Sequence, residues 1–149
     1  MALERVGHTR VKSSAWLALR NAIEAAGVAA KAYPDGLAVE AGDASLYKPD
    51  VLVNGGEIAD RDAMIAPNPI VAVKVVTPAS RGVDTSWKLV DYFSVFSIRH
   101  FLIMATERRV VVHHTRRGDG WIETRIAASG RIEMDPFGIT VNVEEISAE

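Results

Sequence analysis

The chain has 149 residues, of which 48% are apolar and 24% are charged, and its formal net charge is −2. This length and composition are ordinary for one soluble globular domain with a real core. The absence of cysteine excludes disulfides and thiolate zinc sites. No apolar run reaches the roughly 20 residues that span a bilayer, and segment 1–12 is too polar for a secretory signal. We therefore expect a cytoplasmic protein with no membrane partner.

The first half of the chain predicts one helix followed by strands. Apolar side chains recur every three or four residues over 5–26, and Gly27 follows as a stop, so this segment is predicted to be a helix. Strands are predicted over 28–33, 37–40 and 46–54, with a Pro-Asp-Gly turn between the first two.

The second half predicts a buried strand, a helix and further strands. Segment 70–76 is an apolar, β-rich run between two prolines, which favours a central strand covered on both faces. Segment 84–96 is predicted to be a helix with Asp84 as its cap and a buried side of Leu89, Val90, Phe93 and Phe96. Strands are predicted over 100–105, 110–115 and 121–127, and segment 137–146 is predicted to hold a short strand or final turn. This order predicts an α/β (α+β) domain with a mixed central β-sheet flanked by helices.

Lys74 is the most unusual residue, because its neighbours along the predicted central strand are all apolar. A buried ammonium is costly unless an acid accompanies it. The strand alone leaves two interpretations equally open: a residue of an active site, or a structural ion pair or a lysine that extends to the edge of the sheet.

Asp50 is the second candidate, because it follows a proline at the start of an apolar run. If side chains alternate, Asp50 and Leu52 share one face of the strand, and Val51 and Val53 share the other. Most Pro-Asp pairs are simply turns.

A third set, Asp84, Lys88 and Tyr92, is spaced every four residues on the predicted middle helix. The spacing by itself favours a routine helix-surface ion pair.

Other conspicuous residues favour structural interpretations. His113 and His114 are adjacent, so on a strand they point to opposite faces and cannot bind one metal together. His8 lies on the apolar stripe of the first helix and is interpreted as a core histidine. Trp87, Phe93 and Phe96 are interpreted as core rather than as a platform for stacking bases. A basic stretch over 99–117 could face phosphate, although the pattern favours a solvated hairpin.

Together these residues resemble the Uma-type family of predicted restriction endonucleases, within the PD-(D/E)xK nuclease superfamily. The resemblance covers nearly the whole chain and depends on the order and spacing of its segments. Its segments are Pro49-Asp50-Val51-Leu52-Val53, 69–80, the set Asp84, Lys88 and Tyr92, then 97–103, 109–114, 118–121 and 137–139, and the first helix with His8.

The resemblance implies a restriction-endonuclease-like core and a Mg²⁺ site for hydrolysis of DNA. It implies Asp50 as the metal ligand and Lys88 as the lysine that holds water, and it places the second carboxylate of the family at Lys74. A second register makes Lys74 the motif lysine, and Ala72 then stands at the acid position, so this carboxylate is missing either way. The family's segment before the first helix also has no counterpart here.

Three hypotheses follow for residues 1–149 as a single nuclease-like domain. The first is an active Mg²⁺-dependent DNA endonuclease. The second, which the charge at Lys74 favours, is a domain that keeps the fold, pairs Lys74 with Asp50 in place of Mg²⁺, and binds nucleic acid or a partner protein without cutting. The third is a homodimerisation module built on the strands around 101–104 and 110–112. None of them requires a small-molecule cofactor.

Overall fold

The structure, a computed structural model, describes residues 3–42, 44–77, 85–118 and 120–148, with the side chains of 85–88 left out. Within these residues the chain forms three helices and ten strands. The helices are α1 (Val6–Ala26), α2 (Thr85–Ser94) and α3 (Val143–Ile146), and the strands are β1 (Lys31–Pro34), β2 (Val39–Glu40), β3 (Leu46–Tyr47), β4 (Val51–Asn54), β5 (Pro69–Val76), β6 (His100–Ala105), β7 (Val111–Arg116), β8 (Ile122–Ala127), β9 (Arg131–Met134) and β10 (Ile139–Asn142).

A mixed sheet of six strands, in the order β1-β4-β5-β6-β7-β8, organises the domain. β5 and β6 are parallel, whereas the other neighbours in the sheet are antiparallel. The fold class expected from the sequence is therefore confirmed. The strands considered for dimerisation, β6 and β7, are each hydrogen-bonded to a strand on both sides, which excludes pairing of two copies at an edge of either strand.

Helix α1 covers one face of this sheet. Leu19, which is fully buried, and Val11 and Ala15 lie on its buried stripe, as the three- and four-residue spacing predicts. Burial of a leucine side chain of this kind stabilises the fold by about 2 kcal/mol. The helix ends at Gly27, whose φ of 67° is the left-handed conformation that glycine adopts without strain.

A second layer on the same face was not predicted from the sequence. The hairpin of β9 and β10 leads into the short helix α3, and its apolar side chains join the core under α1. The sequence analysis predicted only a short strand or turn in the tail. Ile132 and Met134 are buried by this hairpin, whereas alternate residues of β9 are exposed.

Helix α2 covers the opposite face with Tyr92 and Phe93, which pack against Leu52 and Phe101 of the sheet. Two residues of its predicted buried side are exposed instead: Val90 is 57% and Phe96 is 87% exposed. Val90 lies about 100° around the helix from the neighbouring Leu89. Phe96 lies beyond the end of the helix at Ser94. The expectations for Asp84 and for the side chain of Trp87 lie outside the described part of the chain.

The predicted strand over 46–54 is divided in two. Its first part, β3, pairs with β2 in a small separate sheet, and its second part, β4, enters the main sheet. Pro49 and Asp50 lie between them, because proline cannot donate a hydrogen bond to a strand ladder. Of the described helices, none is long and apolar enough to span a membrane.

Candidate functional site: a carboxylate shared by two lysines

Asp50 lies at the point where the chain enters the main sheet. Its backbone N–H donates to the carbonyl of Val73 at 2.9 Å, and its carboxylate Oδ2 accepts from the backbone N–H of Val75 at 2.6 Å. The residue is only 5% exposed. Leu52 packs on the α2 side of the sheet and Val51 and Val53 pack on the α1 side, so the alternation predicted for these three residues is confirmed. Asp50 itself lies before β4, and its carboxylate contacts Lys12 of α1.

The predicted pair of Lys74 with Asp50 is present in the structure. The Lys74 ammonium lies 3.5 Å from Asp50 Oδ2, and one third of the lysine side chain is exposed. Val73 and Val75, its neighbours in β5, are buried. Lys74 therefore extends from an apolar strand to solvent and has its acid partner at the rim, which satisfies the requirement that a poorly hydrated charge be paired.

A second lysine, Lys12 of α1, reaches the same carboxylate, and the sequence analysis missed it. Its ammonium lies 3.7 Å from Asp50 Oδ1, 2.7 Å from Glu4 and 2.9 Å from Asp35. Burial lowers the pKa of Lys12, but the hydrogen bonds to Glu4 and Asp35 outweigh this effect and raise it. The hydrogen bond from Lys12 lowers the pKa of Glu4 to about 2, against the opposing effect of burial. Glu4 and Lys12 therefore stay charged at neutral pH.

His8 belongs to this network as well. One ring nitrogen lies 3.1 Å from the Glu4 carboxylate, and the other lies 3.1 Å from the carbonyl of Val75. The expectation of a satisfied core histidine is therefore confirmed for the partners of the ring, but His8 is half-buried and does not belong to the core. Glu4 lies just before α1, and His8 and Lys12 follow it at four-residue intervals, so this spacing was the available sequence signal.

The middle helix brings Tyr92 toward the same region. Its ring packs between those of Tyr47, at 5.5 Å, and Phe101, at 4.7 Å. Burial, and after it the charge of Asp50, raises the pKa of Tyr92. Lys88 lies in α2, but its side chain is outside the described part of the chain, so the role expected for it stays a prediction.

The acids and bases around Asp50 balance one another. Three carboxylates, Glu4, Asp35 and Asp50, face the ammonium groups of Lys12 and Lys74, and Lys48 lies 3.8 Å from Asp35. Among the residues whose side chains are described, no group of three or more His, Cys, Asp or Glu could hold a metal ion.

A separate polar cluster lines a cavity of about 210 Å³ beside β6, β7 and β8. His100 Nδ1 lies 2.8 Å from His113 Nε2, and His100 Nε2 lies 2.5 Å from the carbonyl of Asp135. A carbonyl can only accept, so His100 Nε2 donates to it, and in the neutral pair His113 Nε2 donates to His100 Nδ1. Burial lowers the pKa of each of these imidazoles to about 4.

His114 points to the other face of the sheet, as predicted. Its Nδ1 lies 2.8 Å from the Thr124 hydroxyl, and its ring stacks on Phe101. The two adjacent histidines therefore share no ligand. His113 meets His100 instead, since β6 and β7 pair in the register that places Leu102 opposite His113.

The basic stretch over 99–117 is partly structural. Arg116 donates to the backbone carbonyls of Phe93, Val95 and Ile98, so its guanidinium holds the connection from α2 to β6. Arg117 is paired with Glu123 at 2.8 Å. Two of the five arginines are therefore engaged by groups of the protein itself.

Comparison with known proteins supports the fold. No family model matches the chain, and no curated protein matches its sequence. Its structure is similar to the crystal structure of "a putative nuclease belonging to DUF820" from Anabaena variabilis, with a TM-score of 0.75 over 99% of this chain and 83% of that chain. The sequence identity is 11%, so the likeness is one of fold.

Proposed function

We propose that this chain is a cytoplasmic nuclease-fold domain of the PD-(D/E)xK type, close to the Uma-type family, that binds nucleic acid and has lost Mg²⁺-dependent hydrolysis. The observation that carries the proposal is the ammonium of Lys74 at 3.5 Å from Asp50. The family resemblance expects a carboxylate at this position, and the likeness to the Anabaena protein supports the nuclease-type scaffold.

The residues around Asp50 do not fit Mg²⁺. This ion requires several oxygen ligands in near-octahedral geometry, usually including one or two carboxylates. The Asp50 carboxylate accepts the Val75 N–H and lies within 4 Å of the ammonium groups of Lys12 and Lys74. A lysine in place of a glutamate changes the local charge by two units, so a divalent cation meets repulsion where it needs a ligand.

The same charges suit a phosphate backbone. Lys48 is 62% exposed and Lys74 is 33% exposed beside the buried Asp50, so both can present an ammonium group to a ligand in solvent. Nucleic-acid affinity depends chiefly on lysine and arginine contacts to phosphates. The proposed ligand is therefore DNA, held through its backbone, with no small-molecule cofactor.

Loss of hydrolysis is tested by titrating the purified protein with Mg²⁺ and Mn²⁺ in a calorimeter and assaying plasmid cleavage on the same preparation. We expect the native protein to show neither binding nor cleavage. Lys74→Glu supplies the missing carboxylate and should gain metal binding. Lys74→Met is the matched control, because it removes the ammonium without adding an oxygen ligand. Stoichiometric metal binding and cleavage by the native protein, both abolished in Asp50→Ala, would overturn the proposal.

DNA binding is tested by fluorescence anisotropy of a labelled duplex at salt concentrations from roughly 50 to 200 mM. Lys48→Gln and Lys74→Gln should weaken binding and each reduce the salt slope by about one. Lys31→Gln is the control. Lys31 is 56% exposed, but it lies on β1 opposite Asn54, at the end of β4 that is far from Asp50. Binding that is absent, or equally weakened by all three substitutions, would refute a nucleic-acid site at Asp50.

A further inference from the structure

The outer edge of β8 is open in the described part of the chain, where this strand is hydrogen-bonded to β7 alone. Proteins usually protect such an edge, because it offers unpaired N–H and C=O groups to another strand. The opposite edge of the sheet is protected in this way, since β1 is four residues long and ends at Pro34. β8 has six residues and contains no proline.

The hairpin register shows which backbone groups lie on the open edge. The N–H of Arg117 donates to the carbonyl of Trp121, and β7 and β8 continue in this register. Because hydrogen-bonded and non-hydrogen-bonded positions alternate in an antiparallel pair, the backbone groups of Ile122, Thr124 and Ile126 point away from β7. These are the groups that a further strand would bond.

The sequence of β8 is complementary to itself around Thr124. If two copies pair antiparallel with Thr124 opposite Thr124, Ile122 lies opposite Ile126 of the second copy. In the same register Glu123 lies opposite Arg125 of the second copy. The outward-pointing positions then face one another, as a hydrogen-bonded ladder requires, and each charge faces its opposite.

We propose that two copies of this chain associate through β8, antiparallel about Thr124, and form one continuous sheet of twelve strands, six from each copy. The ladder would contain about six backbone hydrogen bonds. It would also cover Ile126, which is 73% exposed, and Ile122, which is 36% exposed. This inference is independent of the proposed function.

The charges on β8 allow a test by mixing. Arg125→Glu places Glu123 opposite a second glutamate, and Glu123→Arg places Arg125 opposite a second arginine. Each variant alone should dimerise at least about tenfold more weakly than the native chain, since two symmetry-related pairs change from attraction to repulsion. In an equal mixture, every Glu of one variant faces an Arg of the other, so the mixture should recover dimers that contain one chain of each kind.

The measurement is analytical ultracentrifugation of the native chain, each variant and the labelled mixture, without DNA. Circular dichroism shows whether each variant is folded. Ile126→Pro is a second variant, because it removes an outward N–H and an exposed side chain while leaving the bonds to β7. It should also be monomeric. A native chain that stays monomeric at high concentration would overturn the proposal, as would single variants that dimerise like the native chain or a mixture that fails to recover dimers.

Discussion

Acidification from neutral pH should destabilise this protein, because of the buried histidine pair. His100 is 1% exposed and His113 is 6% exposed, and Arg117 and Arg125 oppose a positive charge there. Burial lowers the pKa of both imidazoles to about 4, whereas an exposed histidine in the unfolded chain has a pKa of about 6.5.

The sign of the effect follows from proton binding. Between pH 6.5 and pH 4 the unfolded chain binds protons that the folded chain does not bind, so the stability present above pH 6.5 is lost as the pH falls. For one imidazole, a difference of about 2.5 pKa units between the folded and unfolded chain lowers the free energy of unfolding by about 3 kcal/mol below pH 4. At pH 5 the same difference lowers it by about 2 kcal/mol. A loss of this size is a large share of the 5–15 kcal/mol typical of a domain.

The assay is urea denaturation at a series of pH values from about 7.5 to about 4.5, the range in which the effect develops. His113→Gln keeps an amide that can donate to His100 and removes one titrating group, so its acid-induced loss should be about half of that of the native protein. Thr115→Val is the control: it removes the hydroxyl that lies 3.0 Å from His113, but both imidazoles remain. Relative to the native protein, the free energy of unfolding of Thr115→Val should be lower by a similar amount at every pH.

Two results would refute this reasoning. One is a free energy of unfolding for the native protein that stays constant between pH 7 and pH 5. The other is an unchanged acid-induced loss in His113→Gln, which would place the titrating groups elsewhere.

Two further substitutions test the contacts around the sheet. In urea denaturation, Asp50→Ala should lower the free energy of unfolding by about 3 kcal/mol, because it leaves the buried N–H of Val75 without its acceptor and deprives Lys74 of its acid. Glu57→Ala removes only an exposed ion pair of 3.9 Å and should match the native protein, so equal effects of the two substitutions would contradict the site. Arg116→Lys should lower the free energy of unfolding by about 2 kcal/mol, since one ammonium cannot replace a guanidinium that donates to three carbonyls. The check is thermal denaturation, and a native-like melting temperature would contradict this role of Arg116.

Local patterns were sufficient to predict most of the main sheet and the first helix. The spacing of Val11, Ala15 and Leu19 predicted the buried face of α1, and the apolar run around Lys74 predicted a strand that is covered on both faces. Among the predicted strands, the main error was the break at Pro49, because the alternating pattern continued through it, and strand β9 was not predicted at all. Val90 and Phe96 were misjudged for a related reason, since their apolar character alone does not show where a helix turns away from the sheet or ends.

The sequence by itself determined that Lys74 needs either an acid partner or access to solvent, because its apolar neighbours make a buried ammonium costly. The family resemblance, and not this argument, made Asp50 the candidate partner. Only the tertiary structure decided that Lys12 shares this acid, that His113 meets His100 across two strands, and that β8 is the open edge. Strand order and register are set by packing between segments distant in the chain. A pattern with a period of two or 3.6 residues therefore shows which face of an element is buried but not what it is buried against.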